Sequence, residues 1–282
     1  MSLSQMSQLP RSQVFSIYLV FVHVLLLWAA IHGMRSHYSA YKAAKKKQSA
    51  VPPPPAYDVW GDLAQSVRAG HRSVFLIPPS TRDKLGAMLE SMGGFHVGVE
   101  LGVQRGLFAK QMLQTWPSCS KYYLVDIWHQ QTNYNDLANV ADQEQLRIYN
   151  EAHQNLAEFR SKTVFLKNYT RDALQFIPGH VDFIYVDARH DYCGVMEDLT
   201  MYWPKLRPGG IMAGHDYNTA LDVWPDQDWA LCMNGTKIYS AVQGAVNDFM
   251  VRHGLTLSVT WGEDNMFRTW IVRKPLHHVN TG

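Results

Sequence analysis

Apolar runs and polar, helix-like segments alternate along most of the chain after residue 58. Short runs rich in β-branched and aromatic residues predict buried strands, and the longer amphipathic segments between them predict helices. The predicted strands are 96–103, 121–128, 163–167, 181–187 and 210–215, and the helices that follow them are 107–115, 143–159, 171–176, 191–206 and 240–253. This alternation is typical of a parallel sheet with helices on both faces.

Two further β-rich runs, 255–260 and 267–272, close the pattern. The connection between them is too short for a parallel crossover, so we expect them to pair as antiparallel neighbours. Residues 58–70 and 81–92 are predicted to be lead-in helices. The predicted fold is α/β, a Rossmann-like, doubly wound sheet of seven strands with an antiparallel last strand.

The first 57 residues differ from the rest of the chain. Residues 14–31 are mostly apolar and uncharged, close to the shortest length that spans a bilayer as a helix. Four prolines after a lysine cluster favour an extended spacer. The predicted parts are listed in chain order as a tail (1–13), a transmembrane anchor (14–34), a basic and proline-rich linker (35–57) and a folded domain (58–282). This organisation predicts a single-pass endomembrane protein, with a cleaved signal peptide or an organellar transit sequence as alternatives.

Two signals disagree about the side of the membrane on which the folded domain lies. One cation precedes the apolar segment and five follow it closely, which favours a cytoplasmic domain. Asn168-Tyr169-Thr170 and Asn234-Gly235-Thr236 are formal N-glycosylation sequons, which would matter only in a lumenal domain. Such triplets arise often by chance, so we give them little weight and leave the orientation open.

Charge and cysteine content exclude several classes of protein. The net charge is +2, but six cations precede the first acid, Asp58, so about −4 remains for residues 58–282. A mildly acidic domain lacks the basic surface for nucleic acid, and no nucleic-acid partner is expected. Cys119, Cys193 and Cys232 are too few and too scattered for a zinc ribbon. We expect reduced, buried thiols, with a single disulfide as the alternative.

Acidic and histidine side chains follow the fourth and fifth predicted strands. Asp187 and His190 follow one strand, and His215 and Asp216 follow the next. Because open α/β sheets place their chemistry at the carboxyl ends of parallel strands, we expect these four residues to share one site. Carboxylates and imidazoles suit a divalent cation and a general base.

A glycine-containing turn follows the first strand, where Glu100, Gly102 and Gly106 have the spacing ExGxxxG. Glycines let the backbone turn sharply and approach a ligand closely. The acid would repel a pyrophosphate but could pair with a cationic ligand such as S-adenosylmethionine, which carries an amino group and a sulfonium. Asp126 ends the second strand, where an acid can accept ribose hydroxyls. Together these residues predict a nucleoside-containing ligand.

Four segments, ELGVQRG, YLVDIW, DFIYVDARHDYCGVMEDL and PKLRPGGIMAGHDY, resemble class I S-adenosylmethionine-dependent methyltransferases, particularly the group related to macrocin O-methyltransferase. The likeness covers about residues 95–275. It implies S-adenosylmethionine as the methyl donor and His190 as the base. The donor contacts that it implies are Glu100, Gly102, Gly106, Asp126, Thr170, Arg171, Asp172 and Asp187.

The resemblance also implies a divalent cation, held by Asp187 and Asp216. His215 stands where relatives usually offer an oxygen ligand, so Mg²⁺ or a softer divalent ion is expected. The resulting hypothesis is O-methylation of a small hydroxylated acceptor. Its alternatives are an inactive, methyltransferase-like binding or scaffold protein and a nucleotide-cofactor oxidoreductase. The insertions 129–142 and 217–239 are expected to shape the acceptor pocket; the acceptor and the oligomeric state stay open.

Overall fold

A seven-stranded mixed sheet is the centre of the computed structural model, which describes residues 76–262 and 267–276. Its strands are β1 (Val97–Leu101), β2 (Lys121–Asp126), β3 (Thr163–Lys167), β4 (Val181–Val186), β5 (Leu206–Gly214), β6 (Leu257–Val259) and β7 (Trp270–Arg273). The order across the sheet is β3-β2-β1-β4-β5-β7-β6. Strands β1 to β5 are parallel, and β7 is antiparallel to both its neighbours. The predicted Rossmann-like sheet is confirmed.

Helices cover both faces of the sheet. They are α1 (Leu85–Met92), α2 (Leu107–Thr115), α3 (Asp142–Asn155), α4 (Thr170–Ala173), α5 (Tyr192–Tyr202) and α6 (Ala241–His253). Every residue of β4 is buried, because this strand lies between β1 and β5 with helices above and below it. Ile184 faces the core under α5 and α6, whereas Phe183 and Tyr185 face the core under α1, α2 and α3. The continuous apolar run of β4 follows from this burial on both faces.

The direction of chain winding changes beside β1. This strand pairs with β2 on one side and with β4 on the other, so the connections after β1 and β4 leave in opposite directions. Such a switch point opens a crevice at the carboxyl ends of the strands. The segments that follow β1, β2, β4 and β5 therefore surround one space.

The predicted lead-in helix 81–92 is confirmed as a short 3-10 turn, Arg82–Lys84, that runs into α1. The other lead-in helix (58–70), the anchor (14–34) and the linker (35–57) lie outside the described residues. Within the described part of the chain, none of the helices combines the length and apolar character that crossing a bilayer requires.

The two insertions are irregular, and a disulfide joins one of them to α5. Residues 129–141 and 217–239 form turns rather than helices. Trp229 of the second insertion is buried and pins it down, whereas Trp224 is exposed. Cys193 and Cys232 are bridged, so the expectation of reduced thiols was wrong for both; Cys119 is free and buried. The packing of the second insertion against the start of α5 brings together two cysteines that are 39 residues apart.

Candidate active site

A cavity of about 650 Å³ lies at the carboxyl ends of β1, β2, β4 and β5. This volume suits a ligand of nucleoside size together with part of a second molecule. The predicted site residues that line the cavity are Glu100, Gly102, Asp126, Thr170, Arg171, Asp172, Asp187, His190, His215 and Asp216. Gly106 lies just behind them, at the start of α2. The structure therefore brings together the residues that the sequence motifs single out.

The glycine turn packs directly against the end of β4. Gly102 has a φ of 83°, and a Cβ there would stand 1.9 Å from the carbonyl oxygen of Asp187. The two segments are also joined by a hydrogen bond from the N–H of Asp187 to the carbonyl of Leu101 (2.7 Å). Gly106 precedes α2 in the left-handed region, with a φ of 70°. Glycine at position 102 thus permits the glycine turn to contact Asp187 at the end of β4.

Asp126 holds the glycine turn in shape. Its Oδ2 accepts hydrogen bonds from the N–H groups of Val103 (2.9 Å) and Gln104 (2.8 Å). Its Oδ1 accepts from the N–H of Trp128 (2.9 Å). Ribose hydroxyls are the predicted partners of this carboxylate, and three backbone N–H groups are the partners in the structure. Asp126 therefore organises the turn and also faces the cavity.

Glu100 is almost fully buried beneath the cavity, and its Oε2 accepts a hydrogen bond from the Tyr122 hydroxyl (2.9 Å). Burial raises the pKa of Glu100 well above its usual value, although the Tyr122 hydrogen bond and the guanidinium of Arg82 oppose the shift. A negative charge at this position is costly without a cationic partner. The site consequently favours a ligand that brings a positive charge to Glu100.

The segment after β3 forms one wall of the cavity. Thr170, Arg171 and Asp172 begin α4, and the carbonyl of Thr170 accepts a hydrogen bond from the Tyr202 hydroxyl (2.7 Å). Arg171 forms an ion pair with Glu197 of α5 (2.8 Å). These contacts place the segment beside α5.

Three carboxylates surround the imidazole of His190. Nε2 lies 3.1 Å from Oδ2 of Asp216 and 3.5 Å from Oδ1 of Asp187, while Nδ1 lies 2.8 Å from Oδ2 of Asp136. Asp216 has a φ of 55°, a strained backbone conformation for a non-glycine residue that occurs most often at functional sites. The predicted meeting of two strand ends is present in the structure.

The potential metal ligands differ from the predicted set. Among the described residues, Asp187, His190 and Asp216 hold ligand atoms that lie within 4.8 Å of one another. His215 is outside this group because its Nδ1 is turned to Oδ1 of Asp216 (2.8 Å). Both histidines line the cavity, but it is His190, and not His215, that joins Asp187 and Asp216 in this group.

Sequence reasoning missed Asp136, which lies in the first insertion. Its Oδ2 also accepts a hydrogen bond from the indole N–H of Trp229 (2.7 Å), which is in the second insertion. The Trp229 ring lies 4.3 Å from the His190 ring, and the Tyr134 hydroxyl is 3.2 Å from His190 Nδ1. The two insertions therefore meet at the imidazole. An acid in an irregular loop gives no periodic signal that would reveal this partnership.

The charges around His190 alter its acidity. Burial disfavours the charged ring, but the carboxylate of Asp216 and the hydrogen bonds to Asp136 and Asp187 outweigh it and raise the pKa of His190 well above its usual value. Burial alone would raise the pKa of Asp216, but the nearby His190 and His215 outweigh this effect and lower it. A raised pKa makes the imidazole a stronger base, while less of it is deprotonated at a given pH.

Arg82 is a second residue that sequence reasoning missed. It precedes α1, lines the cavity and lies with its Nη1 3.8 Å from Oδ2 of Asp187. The guanidinium also lies over the Phe108 ring, 5.6 Å from its centroid. Arg82 thus places a positive charge beside the acid at the end of β4.

A buried acid on α5 gives a stability prediction. Burial, opposed by a hydrogen bond with Thr170, raises the pKa of Asp198 to about 7. The unfolded chain loses this proton near pH 4, so the folded state is penalised increasingly up to pH 7 and constantly above it. Asp198→Asn should therefore raise the free energy of unfolding at pH 8 by on the order of 4 kcal/mol and by much less at pH 5.

Urea denaturation at both pH values measures this difference. Asp83→Asn, at an exposed acid on the 3-10 turn, is the matched control and should change stability little at either pH. An equal effect of Asp198→Asn at pH 5 and pH 8 would contradict the raised pKa.

The strand order and the site agree with the predicted class I S-adenosylmethionine-dependent methyltransferase domain. Residues 99–217 match the family model described as Methyltransferase domain (Methyltransf_24). This match confirms the predicted class, and it does not separate the macrocin-related group from the rest of that class. No curated protein matches the chain.

Solved structures with a similar fold include three bacterial proteins. One is an O-methyltransferase from Bacillus cereus in complex with SAH, with 15% identity, 82% of this chain and 97% of that chain covered, and a TM-score of 0.47. Another is a putative O-methyltransferase from Klebsiella pneumoniae, with 16% identity, coverages of 86% and 99%, and a TM-score of 0.46.

The third similar structure is an O-methyltransferase family protein from Burkholderia thailandensis, with 14% identity and a TM-score of 0.47. The match covers 70% of this chain and spans 56% of that protein's length.

Proposed function

We propose that this chain transfers the methyl group of S-adenosylmethionine to a hydroxyl oxygen of a small acceptor, with His190 as the general base. The observation that supports this proposal most directly is the position of His190. Its Nε2 lies between Asp187 and Asp216, in the same cavity as the glycine turn. A base and a donor turn in one enclosed space are what methyl transfer to a hydroxyl requires.

The residues around the donor turn would bind and align the donor. S-adenosylmethionine, when bound, supplies an electrophilic methyl group on a sulfonium. Glu100 offers a buried acid to the cationic methionine part, and Asp126 holds the turn through three backbone hydrogen bonds. Thr170 to Asp172 would contact the adenine. Their task is alignment, because in-line transfer depends on geometry more than on covalent catalysis by the protein.

His190 would accept the hydroxyl proton at Nε2. Asp136 bonds Nδ1 from the other side, which fixes the ring orientation. Trp229 in turn holds Asp136. In its geometry, the pair of Asp136 and His190 resembles an acid that orients a catalytic imidazole.

Asp136→Asn tests this orienting role. The amide keeps the size of the side chain and its contact with Trp229, but it removes the charge that supports the imidazolium. We expect kcat to fall by roughly 10–100-fold while KM and the affinity for S-adenosylhomocysteine stay near wild type. Asp228→Asn, in the second insertion, is the control; it bonds Lys237 outside the cavity and should leave kcat unchanged. A KM effect with constant kcat would assign Asp136 to acceptor binding instead.

We also propose that a divalent cation assists the reaction. Asp187 and Asp216 would hold it through carboxylate oxygens, which leaves Nε2 of His190 for the proton. A bound cation would lower the pKa of the acceptor hydroxyl. The two carboxylates suit Mg²⁺, and the nearby imidazole also suits an ion that accepts nitrogen ligands, such as Mn²⁺. Turnover after EDTA treatment and after metal restoration measures the contribution; an EDTA-insensitive rate would remove the cation from the mechanism.

Residues 14–34 are further proposed to anchor the domain to an endomembrane as a single-pass segment. The support is the sequence of the apolar run itself. Extraction of membranes with alkaline carbonate distinguishes a retained anchor from a cleaved signal peptide. An anchored chain stays in the pellet, whereas a chain whose signal has been cleaved is released.

Titration calorimetry with S-adenosylmethionine, S-adenosylhomocysteine and NAD tests the central proposal. We expect both sulfur nucleosides to bind and NAD to give no heat, because the acid of Glu100 beside the glycine turn would repel a pyrophosphate. Formation of S-adenosylhomocysteine with a panel of small hydroxylated acceptors then measures turnover. Binding without turnover on any acceptor would favour an inactive binding protein, and binding of NAD alone would favour an oxidoreductase.

A further inference from the structure

The disulfide indicates the kind of cellular compartment in which the domain folds. Cys193 is in the first turn of α5, and Cys232 lies in the second insertion beyond β5. The remaining cysteine, Cys119, is buried and unpaired. Stable disulfides form in secretory compartments and are rare in the cytosol, where thiols are kept reduced. The bridge therefore indicates an oxidising compartment. The cations around residues 14–31 instead favour a cytoplasmic domain.

One of the two sequons lies beside this disulfide, in an exposed turn. Asn234, Gly235 and Thr236 are all exposed, and Asn234 is two residues after Cys232. The turn closes through hydrogen bonds from the N–H of Cys232 to the carbonyl of Thr236 (2.8 Å) and from the N–H of Gly235 to the carbonyl of Cys232 (2.9 Å). An acceptor asparagine for a glycan belongs on such a surface loop.

The other sequon has the opposite character. Asn168 is half-buried and lines the cavity, and its N–H bonds the carbonyl of Asp126 (3.1 Å). A glycan at this position would occupy the donor site. The structure thus separates two triplets that are equivalent in the sequence.

We propose that the catalytic domain matures in an oxidising lumen, where Cys193 and Cys232 become bridged and Asn234 receives an N-linked glycan. In the first step the two thiols lose two protons and two electrons to the disulfide of a thiol oxidoreductase, which is reduced to a dithiol. In the second step Nδ2 of Asn234 forms a bond to the anomeric carbon of a polyprenyl-pyrophosphate-linked oligosaccharide. The polyprenyl pyrophosphate leaves, and the amide loses one proton.

The glycan is tested with the full chain expressed in cultured eukaryotic cells. Peptide N-glycosidase should increase the mobility of the wild-type chain on denaturing gels. Asn234→Gln and Thr236→Ala should abolish that shift, whereas Thr236→Ser, which keeps the sequon, and Asn168→Gln should retain it. A chain without a removable glycan overturns the proposal, as does a glycan that disappears only in Asn168→Gln.

The bridge is tested on the same material by labelling thiols with a maleimide polymer under denaturing conditions. We expect one labelled thiol before reduction, three after reduction, and none before reduction in Cys119→Ser. Three labelled thiols without reduction would overturn the proposal. Because Asn234 and Thr236 are exposed, these variants should fold, and the labelling pattern verifies this independently of methyl transfer.

Discussion

His190→Gln should lower kcat by roughly 10²–10⁴-fold, the range that a positioned general base contributes. Glutamine retains polar contacts with the surrounding acids but cannot accept the hydroxyl proton. The affinity for S-adenosylhomocysteine should stay close to wild type, because the contacts of His190 are with Asp136, Asp187 and Asp216 and not with the glycine turn. Initial rates with the best small hydroxylated acceptor and calorimetry with S-adenosylhomocysteine provide the two measurements.

A matched substitution separates catalysis from a general effect of losing histidine. His253→Gln changes an exposed residue at the end of α6 and should leave both kcat and donor affinity unaltered. Should His190→Gln retain more than a tenth of the wild-type kcat, His190 would not be the base. A parallel loss of donor binding would instead indicate that the substitution disturbs the cavity.

Gly102→Ala should abolish donor binding and destabilise the domain. The new Cβ would stand 1.9 Å from the carbonyl oxygen of Asp187, so β1 and β4 would have to separate exactly where the site forms. The positive φ adds a conformational cost of about 1–2 kcal/mol. Together with the overpacking, we expect the free energy of unfolding to fall by at least about 3 kcal/mol. Urea denaturation measures this loss.

Gly254→Ala isolates the conformational part of that effect. Gly254 follows α6 in the left-handed region, with a φ of 60°, but a Cβ there would meet nothing within 4 Å. Its substitution should cost only about 1–2 kcal/mol and leave the binding of S-adenosylhomocysteine intact. Equal losses for the two variants would show that the contact between Gly102 and Asp187 is unimportant.

The part of the cavity around the glycine turn was predictable because its residues have local signals. Glu100, Gly102 and Gly106 occur within one strand-to-helix turn, and Asp126 ends the next predicted strand. Asp187 and Asp216 were found for the same reason. Parallel strands bring their carboxyl ends to one edge, so a linear pattern is enough to predict this neighbourhood.

The surroundings of His190 were less predictable because they depend on irregular loops. Asp136 and Trp229 are 93 residues apart and meet only through their insertions. Which histidine faces the acids depended on side-chain rotation: His190 turns toward Asp187 and Asp216, while His215 pairs with Asp216 from another direction. Neither contact has a periodic counterpart in the sequence.

The sequence by itself determined the α/β alternation, the antiparallel end of the sheet and the strand-end acids, because period, loop length and strand direction are local properties. Tertiary structure decided the partner of His190, the membership of the acid cluster and the pairing of Cys193 with Cys232. These depend on how two insertions pack against α5, and that packing is set by burial of side chains such as Trp229 from distant parts of the chain. Long-range packing has no signature in any short stretch of sequence.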